Sequence, residues 1–562
     1  MQDEIPRRVE ARRGFSVAYR GKTLLSVLDP IAQADRIVLK AHKTGRTLYV
    51  CPSPLLGYGL STILQTMSDD SALLCVETDE NLMAFSLAEM DRAVLAHPAM
   101  RFVRARDSET LCAYVRSQWG ERSFRRVELL RLGGGWQLDT ETYETLAGAL
   151  RRTIAVDWGN AATLIRLGRL YARNAVRNLA LLPESGTIDD LDFGSGPALV
   201  LGAGPSLDRT LEELKDLCVP ERRFKIICVD TALSALNSFS IVPDLVVALE
   251  AQHWNIGDFI GSRGRNIPLA LDLSALPGSG SLLGPRFFFS TPWAPLAFFE
   301  RLREYALLPP GLPPLGSVGL SAAALALKIS TGPVLTGGLD FSFELDGFHA
   351  KAAPPGIAWL CRQNRLSGFI NAGAAIRRGT FTALSKEKKR VLSTINLKNY
   401  RDLFEEEFGG EKRMGDLLSS GLPLGLPVLN FEEARTLLSG AADIRADIRA
   451  GSGAEYPGGA LSGGKTKKDR IIKFIEQELS MLRTIRAVLT GEGRTGKEEF
   501  GRLLDACDYL WTHFPECAGA GGKRPRCAKD DEMTLSFLKR VRAELDPFIV
   551  QFELTERLIN AM

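Results

Sequence analysis

The sequence predicts an α/β protein: two Rossmann-like α/β domains, N-terminal and central, followed by an all-helical C-terminal region. Three observations carry this. Short apolar runs alternate with helical periodicity through roughly the first 385 residues. Two of those runs, Thr47–Cys51 and Ala198–Leu201, lead straight into a glycine-bearing turn that opens a helix. Beyond residue 385 the pattern changes, and apolar residues come to recur every three or four positions.

Taken in order, Thr47–Cys51 reads as a buried strand. A turn with Pro52, Pro54, Gly57 and Gly59 follows, and Leu60, Ile63, Leu64 and Met67 then sit at helical spacing. Ala72–Val76 is a second strand ending at Glu77, placed where an acid can accept from a ribose hydroxyl. A helical stretch from Thr153 to Leu182 closes this first domain, expected over 1–190. The acidic, glycine-rich residues up to Gly196 read as a linker. The central domain is expected over 191–385, with strands at Ala198–Leu201, Phe224–Val229, Leu245–Leu249 and Leu269–Leu273 and a last one opening at Val334. Residues 386–562 are expected to be helical, with a glycine-rich linker near 451–464. Ile471, Ile475, Leu479, Leu482 and Ile485 mark one helix there, Phe500 to Phe514 a second, and Met533 to Leu558 a third, interrupted at Pro547.

Composition bounds the function. Of 562 residues 45% are apolar and 24% charged, as in ordinary folded proteins. With 70 Lys+Arg against 67 Asp+Glu the net charge is +3, too small for a chain that binds nucleic acid along its length. No run reaches the roughly 18 apolar residues of a membrane span, and no apolar segment follows the arginines at 7–13, so no signal peptide is expected. The nine cysteines include no Cys-x-x-Cys, which fits a reduced, cytoplasmic protein. Cys507, Cys517 and Cys527 recur every ten residues, but that spacing matches no zinc pattern, so structural thiols are expected.

The strongest motif is Gly202-Ala203-Gly204-Pro205-Ser206-Leu207-Asp208, between a strand and a helix. Unpaired N–H groups at a helix start favour an anion, and glycines let a phosphate approach the backbone. Ser206 is placed to cap the helix, and Pro205 suits its first position. Leu207 stands where a third dinucleotide-type glycine would be. Asp230 ends the second strand beside this turn, and Glu250 ends the third, followed by Gln252 and His253. Polar groups converging at strand ends are what a small-molecule site needs. Asp244 reads as a turn residue before its strand. Gly316-Ser317-Val318-Gly319 precedes another helix, and Asp340 closes the last strand. Asp346-Gly347-Phe348-His349-Ala350 follows, with His349 as the candidate base among five histidines. Gly459-Ala460-Leu461-Ser462-Gly463-Gly464-Lys465-Thr466 spells a Walker A pattern. A P-loop must follow a strand, and this one follows a flexible stretch, so it reads as linker.

Together, Gly202–Asp208, Val229-Asp230-Thr231-Ala232-Leu233, Ile241-Val242-Pro243-Asp244 and Gly338-Leu339-Asp340-Phe341 with His349-Ala350 resemble the motility-associated factor (Maf) glycosyltransferases. Their central domain is of the same type as the MptE-like hydroxymethylpterin diphosphokinases. The resemblance covers about 190–385, and Asn174 and Asn178 in the preceding helix also fit. It implies transfer of a nonulosonic, sialic-acid-like sugar from a CMP-activated donor to Ser/Thr of flagellin, with no metal or other cofactor required. It further implies that Gly202, Gly204 and Ser206 meet the nucleotide phosphate or ribose and that Asp230 holds the nucleoside; from their places at the turn and the strand end, Pro205 and Glu250 are expected at the same donor site. Ser317 and Asp340 would line the donor pocket, and His349, with Asp340, would serve catalysis. Two alternatives stay open: a diphosphokinase using Mg²⁺ on Asp230, Glu250 and Asp340, and a non-enzymatic nucleotide-binding flagellar assembly factor.

Overall fold

The computed structural model describes residues 5–120, 123–345, 347–366, 379–440, 464–518 and 535–561. The chain forms two compact units. One comprises residues 1–168 and 511–537, the other 169–510 and 538–562. The division near 168 falls inside one helix, Thr140–Asn178.

The first unit opens with a small antiparallel sheet of β1 (Arg7–Glu10), β2 (Phe15–Tyr19) and β3 (Lys22–Thr23). A parallel sheet follows, made of β4 (Thr47–Pro52), β5 (Ala72–Glu77), β6 (Met100–Arg104) and β7 (Arg126–Leu129) in the order β6-β5-β4-β7. Every residue of β4 and β5 is buried, because helices cover both faces. Side chains alternate between the faces. Tyr49, Cys51, Leu73 and Cys75 join a core with Val38, Leu60 and Ile63. Leu48, Val50, Leu74 and Val76 join another with Leu111, Leu146 and Leu150.

The second unit is built on nine parallel strands. They are β8 (Gly186–Thr187), β9 (Ala198–Leu201), β10 (Lys225–Val229), β11 (Leu245–Ala248), β12 (Leu269–Asp272), β13 (Arg286–Phe289), β14 (Val334–Gly337), β17 (Met414–Leu417) and β18 (Val428–Leu429). A hairpin of β15 (Thr380–Leu384) and β16 (Arg390–Thr394) stands apart from them. The sheet order is β18-β17-β14-β9-β10-β11-β12-β13-β8. The chain lays β9 to β13 to one side of β9 and then returns to place β14 on the other. The order therefore reverses between β9 and β14, the place where open parallel sheets leave a crevice at their carboxyl ends.

The α/β class with a helical C-terminal region is as expected, but some boundaries differ. The stretch before Gly196 is no free linker: Gly186–Thr187 pairs with β13 at the sheet edge, and Asp190 accepts the Thr187 N–H. Helical structure does not take over at residue 386, because β16, β17 and β18 lie beyond it and the last two extend the central sheet. Met414–Leu417 is a wholly buried strand too short to show periodicity. Phe287–Phe289, part of β13, is a buried strand segment that the sequence reading did not place as a strand. The long C-terminal helices begin at Gly464. The last, Leu535–Ala561, passes through Pro547 without the expected break. Burial of Phe548 and Phe552, with ring centroids 5.0 and 6.2 Å from that of Tyr509, offsets the missing N–H bond.

A buried ionic cluster ties helix Gly464–Thr490 to helix Ala297–Glu304. Glu478 is fully buried and accepts from Arg301 Nε at 2.6 Å and from the Tyr509 hydroxyl at 2.9 Å. Arg301 also donates to the Ala506 carbonyl, and Asp508 accepts the Ala297 N–H that opens helix Ala297–Glu304. Cys507 and Cys517 are buried, and Cys527 lies outside the described residues.

Candidate functional site

Two glycine turns meet at the reversal point. Gly202 follows β9 and Gly338 follows β14. The Gly202 N–H donates to the Gly337 carbonyl and the Gly204 N–H to the Gly338 carbonyl, both at 2.8 Å. Ser206 donates its N–H at 2.7 Å and its hydroxyl at 2.5 Å to the carboxylate of Asp340. The Leu207 N–H goes to the Gly204 carbonyl. N–H groups expected to be free for a phosphate are thus bonded within the chain. Ser206 makes no side-chain cap, and helix Leu207–Leu214 starts after it, so Pro205 precedes the first helical position. The glycine at 204 has a different reason. A Cβ there would meet the Asp340 carboxylate and sit 2.7 Å from the Gly338 carbonyl. Its φ is not positive, so closeness and not backbone conformation excludes a side chain.

A cleft of about 870 Å³ opens at this point. It is lined by Gly202, Ala203 and Gly204, by Val229 and Thr231 after β10, by Ser317, Val318 and Gly319, by Leu339 to Ser342, and by Phe348, His349 and Lys351. Helix Val318–Ile329 begins at the cleft. Its first-turn N–H groups have no partner inside the helix, and the hydroxyl of Ser317, its N-cap residue, makes no cap bond. This end, rather than the Gly202–Ser206 turn, offers open donors and a positive dipole. Exposed Lys351 adds a cation to the same cleft, while its N–H anchors to Asp208 at 3.0 Å. Phe341 adopts a left-handed φ of 48°, an unfavourable conformation for an aromatic residue and one held here at the cleft wall.

His349 lines the cleft. Burial holds its pKa below the ordinary 6.5, against the opposing pull of the Ala203 carbonyl beside it. It is therefore neutral near pH 7 and able to accept a proton. Asp340 borders the cleft, but both carboxylate oxygens are engaged by Ser206. Burial raises its pKa, and the charge of Lys386 opposes that rise.

The other expected site acids lie elsewhere. Asp230 is 2% exposed and does not line the cleft. It accepts from Thr231 and, at 2.6 Å, from Asn255, which also donates to Asp258 at 3.1 Å. Burial, and then the charge of Asp258, push Asp230 up to about 7; burial above all pushes Asp258 up to about 6. Glu250 is exposed, accepts the Gln252 N–H and stands outside the residues lining the cleft. Its charge reaches Tyr171, whose hydroxyl burial and then Glu250 push up to about 12. Glu77 is 1% exposed and accepts from Thr78, Asp79 and the Tyr143 hydroxyl, so it anchors its own turn instead of presenting to a ribose. Asp244 behaves as a turn residue, holding Arg222, Lys225 and the Ile226 N–H. Asn174 and Asn178 each donate two bonds to carbonyls after β11 and β12, fixing the loops at that sheet edge. Asp346 and residues 459–463 of the Walker A pattern fall outside the described residues; Gly464 to Thr466 begin a helix and follow no described strand.

Sequence reading missed Lys351, Thr231 and Lys386. Lys351 had a usable signal, being two residues from His349. Lys386 had none, since it sat in a basic run that reads as solvent-facing.

Residues 173–346 match the family model described as 6-hydroxymethylpterin diphosphokinase MptE-like. A Treponema pallidum (strain Nichols) protein described as uncharacterized is 28% identical over 559 residues, covering 97% of this chain and 94% of its own. The solved structure of a Maf glycosyltransferase from Magnetospirillum magneticum AMB-1 matches with a TM-score of 0.53 at 14% identity, covering 99% of this chain and 93% of that one. The resemblance read from the motifs therefore holds: the chain carries an MptE-like domain within a Maf-like fold.

Proposed function

We propose that this MptE-like, Maf-like chain is a glycosyltransferase that takes a nonulosonic sugar from a CMP-activated donor and places it on a Ser/Thr hydroxyl of flagellin. The observation that carries this is the cleft at the β9/β14 reversal, where an open helix N-terminus, a cation and a neutral histidine converge. The donor phosphate sits at Ser317, Val318 and Gly319 with Lys351 beside it. Negative charge grows on that phosphate as the bond to the anomeric carbon breaks, and a fixed helix end stabilises it without reorganisation. The sugar gains oxocarbenium character. His349 takes the proton of the acceptor hydroxyl as the new bond forms. Asp340 positions the Gly202–Ser206 turn and does not itself react, because its oxygens are engaged. The setting is cytoplasmic, and no metal is needed in this scheme.

A second reading draws support from the matched family model, whose description is of a diphosphokinase. It would move pyrophosphate from ATP in a Mg²⁺-dependent reaction. Thermal melts with CMP, CTP, ATP, GTP and NAD, each with and without Mg²⁺, separate the two. A ligand at ~100 times its Kd adds roughly 2.7 kcal/mol. Metal-independent stabilisation by CMP supports the transferase, stabilisation only by ATP with Mg²⁺ supports the kinase, and no response to any nucleotide refutes both.

A further inference from the structure

A lysine is rarely buried unless paired. The Lys386 side chain is 2% exposed, and its ammonium lies 2.8 Å from Asp416, whose side chain is 1% exposed. Asp416 also accepts from Thr336 at 3.0 Å. The backbone leads from Lys386 to the cleft. Its N–H donates to the Gly421 carbonyl at 2.9 Å, and the next N–H, of Leu422, donates to the Asp340 carbonyl at 2.8 Å. Gly421 packs on Asp340 so closely that a Cβ would stand 2.6 Å from its Oδ1 and 2.7 Å from its Cα. Asp340 in turn holds Ser206 by two bonds. Lys386 thus pairs with one buried carboxylate, and its charge reaches a second, Asp340, from which the glycine turn hangs.

We propose that Lys386 is a positioning residue for the cleft: its ammonium keeps Asp340 ionised, and ionised Asp340 holds the Gly202–Ser206 turn in the shape that forms the cleft wall. Without the cation, the charges of Asp340 and Asp416 act on each other uncompensated, and a proton taken up by one of them relieves the repulsion. A protonated Asp340 is a weaker acceptor for Ser206. The charges that act on Asp340 are those of Lys386 and Asp416, and the hydroxyls of Ser206 and Ser419 hydrogen-bond it. The consequence for donor binding rests on the glycosyltransferase reading, whereas the state of the turn does not.

The test is amide hydrogen exchange over residues 202–207 of the full-length protein without ligand, comparing wild type with Lys386→Met and with the double variant Lys386→Met/Asp416→Asn. In Lys386→Met, exchange in this segment is expected to rise about 10-fold over wild type at pH 6, the ratio falling toward one by pH 8.5 as Asp340 ionises. The double variant, which removes the facing carboxylate as well, is expected to stay within about 3-fold of wild type at both pH values. A ratio that is large but independent of pH, or no change at all, overturns the proposal. If Lys386→Met does not fold, the double variant decides alone, and a folded double variant with an unprotected turn also overturns it. CMP titration of the same proteins is the second readout. Wild type that fails to bind CMP refutes the donor reading and leaves the exchange result standing.

Discussion

Gly204→Ala distinguishes two reasons for a glycine in the turn after β9. If the residue is small so that a ligand phosphate can approach, alanine costs binding and leaves the empty protein unaffected. If it is small so that Asp340 can approach, alanine costs stability with no ligand present. The added Cβ meets the Asp340 carboxylate directly and lies 2.7 Å from both Asp340 Cγ and the Gly338 carbonyl oxygen. Overpacking of this kind costs about 1–3 kcal/mol. Displacing Asp340 also weakens its charged hydrogen bonds with Ser206, worth about 1.5–3 kcal/mol. The sum is about 2.5–6 kcal/mol, with no backbone penalty because φ at 204 is not positive. Urea unfolding of the nucleotide-free protein, followed by tryptophan fluorescence, measures it. Gly421→Ala, on the opposite side of Asp340, is expected to cost a similar amount. Superimposable unfolding curves for Gly204→Ala and wild type, together with lost nucleotide binding, would refute the reasoning.

Other outcomes follow from the same geometry. Lys351→Met is expected to weaken CMP binding by about 10-fold and to flatten its salt dependence, whereas Lys351→Arg keeps both; calorimetric titration at two salt concentrations reads this. His349 binds a proton less readily folded than unfolded, so stability is lost as pH falls through and below 6.5. His349→Gln is expected to flatten that part of the curve in melts from pH 7.5 to 5 and to abolish transfer to the acceptor. Asp258 has a raised pKa, so its ionisation costs stability as pH climbs from the unfolded value near 3.8 through about 6. Asp258→Asn should therefore melt higher than wild type at pH 8, the gap closing near pH 4. Glu478→Ala strands the buried Arg301 cation and is expected to cost about 3–5 kcal/mol, far more than Glu478→Met paired with Arg301→Met. Equal losses in the two variants would contradict that account.

Five strands of the central sheet, β9 to β12 and β14, were legible in sequence because they are short apolar runs bounded by turns rich in glycine, proline and acids, whereas β8, β13, β17 and β18 were not. The fold class, the place of the glycine turn and the relevance of Ser206, Ser317, Asp340 and His349 to one region could all be read locally. Their tasks could not. Whether a turn's N–H groups are free depends on what the strand beside it carries, and β14 follows β9 by more than a hundred residues. That pairing turned a presumed phosphate cradle into a clamp on Asp340 and left the open helix end at Val318. The burial of Asp230, the exposure of Glu250 and the pairing of Lys386 with Asp416 were likewise decided by neighbours remote in sequence. A sequence states which residues are polar; only packing decides whether their partners come from the chain or remain to be supplied by a ligand.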